Sequence, residues 1–221
     1  PRKGSGGGLI RKTYNNLLIY FNRSFKHDYA FVAGRIANQI AFQKKIPNIV
    51  KFKSFDTLNF EKIKIKKSKK KPIVFIDNDI FGHPDYKYNG TTPPLVERKK
   101  YYESLSNFFH FLEKKFKTKV VIALNPKSNL IEVKKNFLNR SVFQNKTAHL
   151  IRNSKFSIIH TSTALSYCVL SKKPVIFITN NDLKKSWFQR EIEFSASQLR
   201  NKVLNIDTLN KDININNYLI I

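Results

Sequence analysis

From residue 72 onward, short continuous apolar runs alternate with longer stretches whose apolar residues recur at three and four positions. Pro72–Ile76 (PIVFI), Lys119–Leu124 (KVVIAL), Phe156–Ile159, Pro174–Ile178 (PVIFI) and Val203–Ile206 are runs of the first kind, rich in β-branched residues. They predict strands covered on both faces. Tyr101, Leu105, Phe108, Phe109, Leu112 and Phe116 form one apolar stripe, which predicts a helix. Thr147–Asn153 and Thr163–Ser171 predict two shorter helices, and Asp182–Arg200 a longer one with Leu183, Trp187 and Ile192 facing inward. Strands and helices in alternation specify an α/β fold, a doubly wound parallel sheet of Rossmann-like type with right-handed crossovers. Ligands of such a sheet sit beyond the carboxyl ends of its strands.

The first third of the chain is less regular. Asn15–Phe25 is apolar, Asp28–Ala33 (DYAFVA) predicts a short strand ending at Gly34, and Asn48–Phe55 (NIVKFKSF) predicts another. Pro47 opposes a helix running into the latter. Lys62–Lys71 (KIKIKKSKKK) reads as a basic linker or exposed edge. The expected organisation is a linker-like segment over 1–8, containing Gly4–Gly8, then a remnant of an amino-terminal domain with the basic linker over 9–71, then an α/β domain over 72–221. A start at Pro1 and the lack of any Met suggest a piece of a longer or processed chain.

Composition narrows the function classes. With 41% hydrophobic and 13% aromatic residues, 19 of them Phe, the chain can build a core, which excludes disorder throughout. No apolar run approaches the ~18–20 residues of a membrane span. A lone cysteine, Cys168, excludes an intramolecular disulfide and a cysteine-rich zinc site, and its place on an apolar helix face predicts a core position. His110, within the aromatic helix, reads as half-buried. The formal charge of +26 (41 basic against 15 acidic residues) suits an anionic partner: nucleic acid, an acidic membrane surface or a phosphorylated ligand. A solvated lysine-rich surface in an Asn-, Ile- and Lys-rich sequence accounts for it equally well. Arginine, the better phosphate fork, is sparse beside lysine, and there is neither zinc-finger spacing nor an aromatic RNA-binding signature.

Candidate chemistry gathers at strand ends. The first of the regular strands runs into Asp77-Asn78-Asp79 and then Phe81-Gly82-His83-Pro84-Asp85-Tyr86. Asp77 or Asp79 could take the proton of an acceptor hydroxyl, and His83 could serve there or hold a phosphate; the plainer alternative is an Asx-type turn. The second ends in Asn125-Pro126-Lys127-Ser128, where Lys127 can reach an anion, or where the chain simply turns. His160-Thr161-Ser162-Thr163-Ala164 lies between the third strand and its helix. Ser162 and Thr163 fit either as helix caps or as hydroxyl donors to a phosphate, with Lys127, Arg140 and His160 adding positive charge. Asp77-Asn78-Asp79 only weakly imitates a metal pair, and no metal site is assigned.

Three segments together, Thr147–Ser154 (TAHLIRNS), His160–Ala164 (HTSTA) and Lys172–Ile176 (KKPVI), resemble the carboxyl-terminal domain of GT-B glycosyltransferases. The resemblance is closest to bacterial surface-polysaccharide enzymes, including the bacterial sialyltransferase groups, and covers about residues 70–206. It implies that Ser162 and Thr163 stand for the serine motif that holds the nucleotide phosphate. Asn125-Pro126 stands where that family has His-Pro, so the histidine is replaced by asparagine. The family's general base lies far upstream, so the base role of Asp77 or Asp79 rests on their position alone.

The resulting expectation is a metal-independent glycosyltransferase, incomplete as given, with no cofactor beyond its nucleotide-sugar substrate. A CMP- or UDP-linked sugar would pass to a cell-surface polysaccharide or lipo-oligosaccharide, in the cytoplasm or peripherally at the anionic inner face of a bacterial membrane. The alternatives are a basic module binding nucleic acid or other anions, a nucleotide-sugar epimerase of the same fold, and a fragment that binds donor weakly and catalyses nothing.

Overall fold

A computed structural model describes residues 27–65, 70–209 and 213–219. The segments 1–8 and Asn15–Phe25, and part of the basic stretch after Lys62, lie outside these residues. The chain divides into two compact units between Phe55 and Asp56.

In the first unit, strand β1 (Tyr29–Val32), helix α1 (Arg35–Gln43) and strand β2 (Asn48–Lys51) form a parallel pair with its crossover helix. Tyr29 lies opposite Asn48 and Val32 opposite Lys51. Gly34, at φ 87°, takes a backbone conformation that side chains disfavour and turns the chain into α1. Val32 and Ala41 are buried here, while Phe31 and Phe42 are exposed.

The second unit begins at Asp56, ahead of the boundary expected at residue 72. It holds a six-stranded, all-parallel sheet in the order β5-β4-β3-β6-β7-β8. The strands are β3 (Ile73–Ile76), β4 (Val120–Leu124), β5 (Val142–Gln144), β6 (Ser157–Ile159), β7 (Val175–Thr179) and β8 (Val203–Asn205). The first three are laid outward in one direction and the next three in the other, the Rossmann arrangement, so the switch point lies between β3 and β6. Neighbouring registers run Ile73 opposite Val120, Val74 opposite Ser157 and Phe177 opposite Val203.

Continuous apolar strands follow from having both faces covered. Ile73 and Phe75 join one buried cluster with Leu105, Phe108, Phe109 and Leu112 of helix α4 (Arg98–Phe116). Val74 and Ile76 point the other way, into a cluster with Ile151 of α6 (Thr147–Arg152) and Cys168 of α7 (Leu165–Leu170). Alternation within β3 therefore divides two cores. Phe75 and Phe109 set ring centroids 5.2 Å apart, tilted by 54°, an aromatic contact favourable beyond area alone.

Several elements depart from expectation. β5, an edge strand of half-buried residues, carries no long apolar run and was not predicted. Short helices α2 (Phe55–Lys62), α3 (Asp85–Asn89) and α5 (Leu130–Lys134) stand where no helix was expected. The helix expected over Asp182–Arg200 is two, α8 (Asn181–Lys184) and α9 (Phe188–Gln198). Ser186 separates them: its Oγ accepts from the N–H of Phe188 at 3.3 Å, a local bond that competes with helix continuation. Trp187, expected in the core, is 40% exposed and donates its indole N–H to the Thr92 carbonyl at 3.3 Å. His110 is exposed, while Cys168 is fully buried as expected. No helix among the described residues is long and apolar enough to cross a membrane.

Candidate functional site

The carboxyl ends of β3, β4 and β6 open into a cleft of about 570 Å³ at the switch point, all of it within the second unit. Asp77 and Ile76 line it from β3, Asn125 and Pro126 from β4, and Ser162, Thr163 and Ala164 from the turn after β6. Five residues singled out in the sequence, Asp77, Asn125, Pro126, Ser162 and Thr163, thus meet in one place.

Asp77 is the most perturbed group in the cleft. Its side chain is nearly buried, and its backbone N–H donates to the Ala123 carbonyl at 3.0 Å, continuing the sheet. Burial, reinforced by the neighbouring Asp79 carboxylate, raises its pKa to about 7. A backbone N–H from Asp79 at 3.2 Å opposes the shift without cancelling it. The carboxyl therefore exchanges its proton near neutral pH, as a general acid or base requires.

Asp79 has a different task. It adopts φ 50°, a region that Asp tolerates better than most residues. Its carboxylate accepts from the Gly82 N–H at 3.1 Å and from Ser128 Oγ at 2.7 Å. It thereby ties the loop after β3 to the loop after β4, fixing the walls on either side of Asp77. Asn78 adds the corresponding tie to β6, its side-chain amide donating to the Thr161 carbonyl.

The hydroxyl turn keeps donor capacity. Ser162 Oγ accepts from the Ala164 N–H at 3.2 Å, leaving its own hydrogen to donate. Helix α7 starts at Leu165, two residues after the expected start, so Thr163 and Ala164 belong to the turn. Asn125 Oδ1 accepts from the Lys127 N–H at 2.9 Å, which leaves its NH₂ as the donor side.

The remaining sequence candidates go elsewhere. His83 accepts from the Asp85 N–H at 3.2 Å, and Lys127 pairs with Asp85 at 2.9 Å, so both are engaged in the loop outside the cleft. Arg140 sits at the amino end of the sheet, paired with Glu113 at 3.1 Å and stacked over Phe109. His160 lies fully buried in the core. Its Nδ1 donates to the Ile178 carbonyl at 2.8 Å, so its Nε2, 2.8 Å from the Tyr101 hydroxyl, accepts from it. Burial lowers its pKa to about 4, so the imidazole is neutral and offers a phosphate no charge.

Other cleft residues were missed in the sequence. α2 supplies Asp56 and Asn59, and Ile63 follows it, as an outer wall, while Lys146 precedes α6 and Thr147 and His149 come from its start. Asp56 accepts from Ser166 Oγ, and Arg152 of α6 stacks over the Phe60 ring at 4.2 Å and donates to the Phe60 carbonyl. These contacts hold α2 against α6 and α7. Lys146 is the lysine in the lining of the cleft, its ammonium 5.8 Å from the centroid of the Phe143 ring.

No protein-family model, curated protein or solved structure matches this chain.

Proposed function

We propose that this chain is the donor-binding part of a GT-B type glycosyltransferase, taking a sugar from a CMP- or UDP-linked donor. The acceptor class we assign is a cell-surface polysaccharide or lipo-oligosaccharide, glycosylated on the cytoplasmic side of the membrane. The observation that carries the reading is the convergence, in one switch-point cleft, of a near-neutral carboxyl with the Ser162–Thr163 hydroxyl turn.

The chemistry follows from these groups. Ser162 and Thr163 donate to the nucleotide phosphate, with the Asn125 amide and the Lys146 ammonium completing an electropositive seat. Fixed donors of this kind stabilise the charge that builds on the departing phosphate, commonly the largest catalytic contribution. The acceptor oxygen attacks the anomeric carbon, the carbon–phosphate-oxygen bond breaks, and the acceptor proton passes to Asp77. The phosphate leaves with the bonding electron pair. A dinucleotide-dependent epimerase fits less well, because a dinucleotide needs a glycine-rich turn after the first strand. Asp77-Asn78-Asp79 occupies that turn instead.

Calorimetric titration with CMP, CDP, UDP and GDP tests the reading. The expected result is saturable preference for one nucleotide, weakened by about tenfold for each hydroxyl removed in Ser162→Ala with Thr163→Ala. The thermal midpoint should stay within about 2 °C of the parent, since neither hydroxyl serves the core. Unchanged affinity in the double variant, or no saturable binding by the parent, sinks the reading.

A further inference from the structure

The charge of the second unit is arranged along the strand direction. At the amino end of the sheet, five adjacent strands each begin one or two residues after a lysine: Lys119 before β4, Lys71 before β3, Lys155 before β6, Lys173 before β7 and Lys202 before β8. Lys117 and Lys172 reinforce the same connections. At ~4.8 Å per strand this band is about 20 Å long.

No acidic residue occurs in the connections 70–72, 117–119, 153–156, 171–174 and 199–202. Glu113, which reaches this end from α4, is occupied by Arg140 at 3.1 Å and by the Val120 N–H at 2.9 Å. Lys117, Lys119, Lys155, Lys172 and Lys202 are exposed. The Lys173 ammonium is held below its usual range by partial burial and, secondarily, by the charge of Lys71. The carboxyl end is mixed in charge, with Asp77, Asp79, Asp182 and Asp207 following the strands beside Lys127, Lys146 and Lys184.

Shape distinguishes among anionic partners. The connections at the amino end are short, so nothing projects to enter a nucleic-acid groove. Their one aromatic residue, Phe156, is buried and cannot stack on a base. What remains is a row of lysine ammoniums whose flexible stems let them adjust to a planar surface of anionic headgroups. We propose that this end of the sheet docks on a bilayer leaflet rich in anionic lipid, leaving the cleft at the other end open to nucleotide. This proposal is independent of the nucleotide reading.

The test uses the full chain with vesicles of phosphatidylglycerol and phosphatidylcholine, vesicles of phosphatidylcholine alone, and a short DNA duplex, compared by sedimentation or calorimetry. Lys117, Lys119, Lys172 and Lys202 are changed together to Gln. A second variant changes Lys87, Lys99, Lys134 and Lys184, which are equally exposed but near the carboxyl end. The expected result is binding to the anionic vesicles only, weakened on the order of a hundredfold or more in the first variant and less than tenfold in the second. Nucleotide affinity should be unchanged in both. Labelling by an amine-reactive probe should likewise slow at Lys117, Lys119, Lys172 and Lys202 when anionic vesicles are added, and not at Lys99 or Lys184. Equal losses in the two variants would show that net charge alone acts. Tighter binding to the duplex than to vesicles, or no slowing of labelling, overturns the proposal in favour of nucleic acid or of no partner.

Discussion

Replacing Asp77 with Asn isolates the energetic consequence of burying a carboxyl in the cleft. Because its pKa rises from 3.8 to about 7 on folding, the folded chain keeps the proton while the unfolded chain releases it. The sign is opposite to that of a salt-bridged carboxylate. Stability is greatest when the group is protonated in both states, falls as pH rises through 3.8 and toward 7, and then levels off. At ~1.4 kcal/mol per pKa unit the whole penalty is about 4 kcal/mol, of which about 3 kcal/mol develops between pH 5 and pH 8.

His160 works against this slope. Its pKa falls from 6.5 to about 4 on folding, so its contribution is present above 6.5 and is lost as pH drops toward 4. Between pH 8 and pH 5 that loss is about 2 kcal/mol. Through these two groups the parent's stability is nearly flat across the interval. Asp77→Asn preserves an oxygen for the Asp79 N–H and removes only the ionisation, so the variant should gain relative to the parent as pH rises. The gain of about 3 kcal/mol corresponds to ~6–12 °C in thermal midpoint for a unit of this size. Thermal unfolding of both proteins at pH 5, 6, 7 and 8, followed by circular dichroism, reads it directly. Parallel midpoint-against-pH curves for the two proteins would refute the assignment of a near-neutral pKa to Asp77, and with it the proton-accepting role.

Tyr101→Phe should lower the thermal midpoint by ~2–8 °C at pH 8, because it strands the buried Nε2 of His160 at a cost of about 1–2 kcal/mol. An unchanged midpoint would mean that another donor reaches that nitrogen. Arg152→Ala should speed amide exchange in residues 55–62 while β3, β6 and β7 remain slow, and should weaken nucleotide binding severalfold through the loosened α2 wall. Mass-resolved hydrogen exchange with and without nucleotide checks both parts, and uniform exchange across the unit would contradict the clasp.

The sheet was legible because β3, β4 and β7 are covered on both faces, so their apolar runs have no interruption to confuse the pattern. β5 was not, for the converse reason: an edge strand with half-buried residues has no continuous run to display. α2 was hidden by its sequence, FDTLNFEK, whose apolar residues make no stripe. It is held by particular contacts, Arg152 on Phe60 and Asp56 on Ser166, between residues far apart in the chain. A sequence pattern reports periodic burial; it carries no trace of a single guanidinium finding a ring.

The same distinction governs the site. Strand ends could be named from the sequence, and those of β3, β4 and β6 do converge, because parallel strands in register must bring their carboxyl ends together. Which side chain at each end faces the cleft depends on one-residue differences. Asp77 lines the cleft, while Asp79, two residues on and at positive φ, turns to Gly82 and Ser128. His160 immediately follows β6 and is swallowed by the core through Tyr101 and Ile178, while Ser162, two residues later, reaches the cleft. Arg140 reads as a phosphate ligand by type, but it precedes β5, and a residue that precedes a parallel strand lies at the amino end of the sheet. Topology alone therefore excludes Arg140 from the site. Lys146, by contrast, follows β5 and stands at the end where the cleft opens.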